Sequence, residues 1–117
     1  MRLLVCGGRD FLDYQYLSYV LDRIFWDSSA EEEDVIIQGG AIGADFLAKV
    51  YAFESGSIPS IEYPANWKRY GWDAGNIRNT EMLEDGDPDL VVAFPGGVGT
   101  ANMVMQTKKA GIRLIQA

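Results

Sequence analysis

Phe94-Pro95-Gly96-Gly97-Val98-Gly99-Thr100 constrains this chain more than any other stretch. It follows the strongest strand signal, Leu90-Val91-Val92-Ala93-Phe94, and precedes a helical stretch from about Thr100 to Ala110. A glycine turn between a buried strand and a helix leaves backbone N–H groups bare at the positive end of the helix. That arrangement suits an anion, most often a phosphate. Gly96, Gly97 and Gly99 would let backbone approach the anion closely, and Thr100 is read as a helix cap with a hydroxyl to offer. The competing reading is a tight turn that needs glycine only for positive φ.

The rest of the chain repeats the strand–helix alternation. Leu3-Leu4-Val5-Cys6 is a continuous apolar run, as expected of a strand covered on both faces, and runs into Gly7-Gly8-Arg9-Asp10. Leu17, Val20, Leu21, Ile24 and Phe25 then recur at helical spacing, with Asp13 placed to cap the helix. The acidic run Glu31-Glu32-Glu33-Asp34 reads as a solvated surface. Val35-Ile36-Ile37-Gln38 is a second strand, followed by the glycine turn Gly39-Gly40-Ala41-Ile42-Gly43 and a helix with Ala44, Leu47, Ala48 and Tyr51 on one face. Ser60-Ile61-Glu62-Tyr63 is a weaker third strand, and residues 65–72 read as an aromatic, basic loop. A helix from Ala74 to Leu83, a turn over Asp85–Asp89, the fourth strand, the last helix closed by Gly111, and a short strand Ile112–Ile115 complete the pattern.

This alternation predicts one α/β domain over residues 1–117: a Rossmann-like, doubly wound parallel sheet in a three-layer α/β/α sandwich, strand order 3-2-1-4-5. Ligands of such sheets sit beyond the carboxyl ends of the strands, where the order reverses. The turns after strands one and four meet there, with the second glycine turn beside them. Gly7 and Gly8 are expected at the floor of that crevice, and Gly39, Gly40 and Gly43 along its wall. Arg9 is a candidate partner for a phosphate, its alternative being a surface salt bridge. Asp10 is open between holding Arg9, binding a ribose hydroxyl, acting as an acid, or closing its own turn. Asp45, in the first turn of its helix, is open between catalysis and simple helix-end electrostatics. Arg78 and Asn79 are site candidates because their helix should begin near the same edge. Trp67, with Tyr70 and Trp72 beside Lys68 and Arg69, is a candidate for stacking on a base, for a subunit contact, or for the core.

Composition narrows the function. Net charge is −7 with only ten Lys and Arg, which argues against binding duplex nucleic acid. The chain has one cysteine and no histidine, so no zinc site and no Ser–His or Cys–His pair is expected. Mg²⁺ held by an aspartate and a ligand phosphate remains open. No apolar run approaches the span of a bilayer, and the N-terminal run is too short for a signal peptide, so the expectation is a cytoplasmic protein with no membrane partner. The Gly-x-Gly-x-x-Gly dinucleotide fingerprint is incomplete, since Asn102 stands where the third glycine belongs, and no Walker A sequence is present.

Five motifs, in order and spacing, resemble one family. They are Gly7-Gly8-Arg9-Asp10-Phe11; Gly39-Gly40-Ala41-Ile42-Gly43-Ala44-Asp45; Tyr63-Pro64-Ala65-Asn66-Trp67; Ile77-Arg78-Asn79 with Met82-Leu83; and Pro88-Asp89-Leu90 through Pro95-Gly96-Gly97-Val98-Gly99-Thr100-Ala101-Asn102-Met103. The resemblance is to the YspA/cpYpsA-related branch of the SLOG superfamily, whose relatives include Smf/DprA and the LONELY GUY phosphoribohydrolases. It implies a nucleotide-derived small-molecule ligand at the Pro-Gly-Gly-x-Gly-Thr edge, and a homodimer. The LONELY GUY pattern continues to a catalytic glutamate, and Met103 stands at that position here. A thioether cannot do a carboxylate's work. The leading expectation is therefore a binding module or sensor. The alternative is a hydrolase of an N-glycosidic or phosphate bond, with Asp10, Asp45 or Asp73 supplying the carboxylate.

Overall fold

A computed structural model describes residues 1–28 and 33–117. Five strands form one parallel sheet in the order β3-β2-β1-β4-β5: β1 (Arg2–Cys6), β2 (Val35–Gln38), β3 (Ser60–Glu62), β4 (Leu90–Ala93) and β5 (Arg113–Gln116). The expected doubly wound topology is the one observed. The central register sets Leu3 beside Leu90 and Ile36, and Cys6 beside Ala93.

Two apolar layers sandwich the sheet. Leu3, Val5, Ile36, Leu90 and Val92 point to one face, where α1 (Tyr14–Trp26) brings Leu17 and Leu21 and α2 (Ala44–Ser55) brings Ala44, Ala48 and Ala52. Leu4, Cys6, Val35, Ile37, Val91 and Ala93 point to the other. Met82 and Leu83 of α4 (Ala74–Glu84) and Met103 of α5 (Val98–Ala110) cover them. Burial on both faces is why these strands read as unbroken apolar runs rather than as alternation. The alanine row of α2 lets that helix lie close to the strands, bringing its N-terminus near the β1 turn.

Local capping explains the helix ends. The Asp13 carboxylate accepts the Tyr16 N–H at 3.0 Å and opens α1. Gly111 closes α5 in the left-handed conformation, φ 73°.

Three expectations need correction. Residues 65–72 are not a plain loop. Asn66 accepts the Arg69 N–H at 3.1 Å and starts a short helix, α3 (Trp67–Tyr70), which passes into a 3-10 turn over Gly71–Asp73. The aromatic run has no helical periodicity to announce this helix. Helix α5 begins at Val98 rather than Thr100, so Thr100 lies inside its first turn; Gly97 is the N-cap and contributes no side-chain bond. The fifth strand sits one residue later than expected. Of the acidic run, residues 31 and 32 fall outside the described residues. The Glu33 carbonyl accepts from the N-terminal ammonium at 2.9 Å, and the Asp34 carboxylate lies 3.5 Å from it.

Candidate functional site

The strand order reverses between β1 and β4, and their following turns are knitted together there. The Gly8 N–H donates to the Pro95 carbonyl at 2.9 Å. The Gly8 carbonyl accepts from both Phe11 and Ala44, at 3.2 Å each, which ties the β1 turn to the start of α2. These contacts require bare backbone. A Cβ on Gly8 would lie 2.9 Å from the Gly96 Cα, and one on Gly7 would lie 2.6 Å from the Ala44 Cβ. Gly43 has φ 85°, and a Cβ there would meet the Gly8 carbonyl oxygen at 2.2 Å. Such glycines are needed for the protein's own packing.

Above this knot lies an open cleft of about 770 Å³. The N-terminus of α5 forms one wall. The Ala101 N–H makes the helix's first bond, to the Gly97 carbonyl at 3.0 Å. The N–H groups of Val98, Gly99 and Thr100 therefore have no intrahelical acceptor, and among the described residues no side chain caps them. Gly97 and Gly99 differ from the glycines beneath. Neither has positive φ, and a Cβ on either would find no atom within 4 Å. Packing within the chain gives no reason for glycine at these two positions.

The opposite wall carries charge. Arg78, half-buried on α4, donates from Nη1 to the Gly39 carbonyl at 2.5 Å and from Nε to the Asn79 side-chain oxygen at 3.2 Å. A Cβ on Gly39 would lie 2.4 Å from Arg78 Nη1 and 2.8 Å from an Asp45 carboxylate oxygen, so this glycine makes room for both groups. Burial lowers the Arg78 pKa, opposed by the charge of Asp45. The buried Asp45 carboxylate accepts the Ala41 N–H at 3.2 Å. Burial raises its pKa against the pull of that hydrogen bond and of Arg78. Cys6 lies at the cleft floor, its thiol pushed up to about 12, chiefly by burial.

Asn79 ties the two walls together. Its amide nitrogen donates to the Gly99 carbonyl and to the Asn102 side chain, each at 3.1 Å. Asn102 also accepts from Gln106 at 2.7 Å. Asn79 thus fixes the opening of α5 from the neighbouring helix. At the mouth, the exposed Arg9 guanidinium stands 5.8 Å from the ring centroid of Trp67. Among the described residues it makes no hydrogen bond or ion pair.

Of the residues singled out in the sequence, Gly7, Gly8, Arg9, Asp10, Asp45, Trp67, Arg78, Asn79, Gly97, Gly99 and Thr100 line the cleft together. Gly39, Gly40, Gly43, Pro95 and Gly96 do not line it. Gly39 lies behind Arg78 and Asp45, Gly40 packs against Glu62, and Gly43 is pinned under the β1 turn. Pro95 and Gly96 face a neighbouring groove between α5 and the C-terminal segment. Cys6, Ala41, Gly75, Asn76, Met82 and Val98 also line it and were not expected there. Gly75 and Asn76 share the cleft with Arg78, Asn79 and Met82, and the spacing 75, 78, 79, 82 marks one helical face. Met103 is fully buried among Cys6, Met82 and Ala93. The only carboxylates among the described residues lining the cleft are those of Asp10 and Asp45. No group of three His, Cys, Asp or Glu side chains able to cage a metal occurs among the described residues. No described helix is long and apolar enough to cross a membrane.

Comparison with known proteins agrees with this architecture. The model of the YspA, cpYpsA-related SLOG family matches residues 1–70, which include β1, β2, both of their glycine turns and Trp67. The Gene 61 protein of Mycobacterium phage D29 is 33% identical over 126 aligned residues, covering 97% of this chain and 94% of that protein. No solved structure gives a significant match.

Proposed function

We propose, because this chain belongs to the YspA, cpYpsA-related SLOG family, that its cleft binds a nucleotide-derived, phosphate-bearing small molecule. The observation that carries the reading is the pair Gly97 and Gly99. Both are bare without structural need, at an uncapped helix N-terminus that faces a cleft. In this reading the phosphate takes the free N–H groups of α5. Arg9 supplies a mobile charge-assisted partner, and Arg78 a fixed one. A Mg²⁺ ion would enter with the phosphate, since among the described residues only Asp10 and Asp45 bring carboxylates to the cleft. Net charge −7 leaves no basic track for a nucleic-acid backbone, which favours a small ligand.

A second reading, nucleotide hydrolysis, has one observation in its favour. Asp45 is a buried carboxyl that lines the cleft and resists ionisation, as a proton donor to a leaving group would. The buried Met103 at the usual glutamate position weighs against it.

Mass spectrometry of the protein mixed with nucleotides, ADP-ribose, NAD and cyclic dinucleotides separates the two. Retention of an intact species supports binding. Release of a free base with a sugar phosphate supports hydrolysis. Gly97→Asp should abolish retention and leave the melting temperature within a few degrees of wild type, since the new side chain enters open space. Retention that survives Gly97→Asp would place the phosphate elsewhere. Arg9→Ala should weaken binding by about 1–3 kcal/mol without loss of stability. Unchanged affinity would return Arg9 to the solvated surface.

A further inference from the structure

The mouth of the cleft holds more apolar surface than a phosphate site needs. Trp72 lines the cleft and is 98% exposed, and Trp67 lines it at 48%. A tryptophan left almost wholly in water forgoes the burial that this side chain ordinarily finds. The Trp67 ring packs with its edge toward Gly75, where a Cβ would lie 3.4 Å from the ring. Trp67 also has Arg9 near its ring, and that guanidinium has no other partner among the described residues. Trp72 sits in the 3-10 turn immediately after Gly71, whose φ is 57°.

We propose that Trp72, together with Trp67, forms a nucleobase subsite beside Arg9, so that the ligand must carry a heteroaromatic base. The inference rests on the phosphate-binding reading above and extends it to the other end of the ligand. Indole rings are surfaces on which bases stack, and stacking tolerates any base because every base has a π-face. The remaining cleft residues do not supply this chemistry. Arg78 and Asn79 are committed to Gly39, Gly99 and Asn102. The α5 end offers only backbone N–H groups and small side chains. A sugar phosphate without a base would leave both indoles in water. A base would cover them and so add affinity that the phosphate alone cannot provide. Arg9 can pass between the Trp67 ring and the ligand without breaking any bond to the protein.

Calorimetric titration of the intact chain with each of the four ribonucleoside 5′-monophosphates and with ribose 5-phosphate tests the proposal. At least one nucleotide should bind about 10-fold or more tightly than ribose 5-phosphate. Trp72→Ala should weaken nucleotide binding about 10-fold while leaving ribose 5-phosphate unchanged. Trp67→Phe should keep most of the nucleotide affinity, as a stacking surface would. Nucleotide binding should also quench tryptophan emission in a Trp26→Phe background, where the exposed indole on α1 no longer contributes. Equal affinity for nucleotides and ribose 5-phosphate would overturn the base subsite and leave the phosphate site standing. An unchanged nucleotide affinity in Trp72→Ala would remove Trp72 from it. Failure of all five compounds to bind would overturn both readings.

Discussion

Gly99→Ala should separate stability from binding. Gly99 is the second residue of α5, its φ is not positive, and a Cβ there meets nothing within 4 Å. Alanine is favoured over glycine by about 1 kcal/mol within a helix, and by about 0.5 kcal/mol in the first turn. For a domain of this size, 0.5 kcal/mol raises the melting temperature by about 2–3 °C. In the phosphate reading, the same methyl enters the cleft that Gly99 lines and would crowd an anion on the free N–H groups. Loss of one charge-assisted hydrogen bond, at about 1.5–3 kcal/mol, weakens binding about 10- to 150-fold. Gly96→Ala is the contrasting variant. Its Cβ would lie 2.2 Å from the Thr100 hydroxyl oxygen and 2.6 Å from the Gly8 nitrogen, so it should destabilise by about 1–3 kcal/mol through overpacking. Calorimetric melts of both variants, with titrations of AMP and inorganic phosphate, make the comparison. A Gly99→Ala protein that melts as low as Gly96→Ala would show that packing demands the glycine. One that is more stable and binds like wild type would show that the glycine does not serve the ligand.

Three further outcomes follow from the charges and burial around the cleft. The raised pKa of Asp45 favours the folded state fully below the ordinary carboxyl value of 3.8, and that contribution is lost as pH climbs through the raised value. Asp45→Asn should therefore melt higher than wild type at pH 7, with the difference shrinking toward pH 4; a gap that widens on acidification would refute the assignment. Cys6, its thiol pushed up to about 12, should resist a disulfide reagent at pH 8 in the native protein and react once denatured; fast native reaction would contradict its burial. Met103→Glu should cost about 3–5 kcal/mol in denaturant unfolding, because the new carboxylate enters the core without a partner. Met103→Leu should cost under about 1.5 kcal/mol, and equal stability of the two variants would show that this position reaches water.

The sheet was legible because its strands are buried on both faces and its turns are marked by glycine. Val35–Gln38 and Leu3–Cys6 have no other stable use in a short α/β chain, and right-handed crossovers leave few orders to choose from. The cleft was legible in outline for the same reason, since topology alone brings the turns of β1 and β4 together. What the sequence concealed was the division of labour among the glycines. Gly43, Gly8 and Gly96 make close backbone contacts, whereas Gly97 and Gly99 leave open space, and this difference depends on atoms far away in the chain. Gly39 reads as ligand wall in one dimension but accommodates Arg78 and Asp45 in three. The short helix after Asn66 was missed because Trp67, Tyr70 and Trp72 face the solvent and the cleft rather than a core, so no apolar period announces them.

The central claim is that the free N–H groups of α5 receive the ligand's phosphate. Amide NMR of the ¹⁵N-labelled protein titrated with AMP addresses it most directly. Saturable shifts centred on Gly97, Val98, Gly99 and Thr100 are expected, with Gly56 and Gly111, the C-terminal caps of α2 and α5, unmoved. Shifts confined to other segments, with these four amides stationary at saturation, would contradict it.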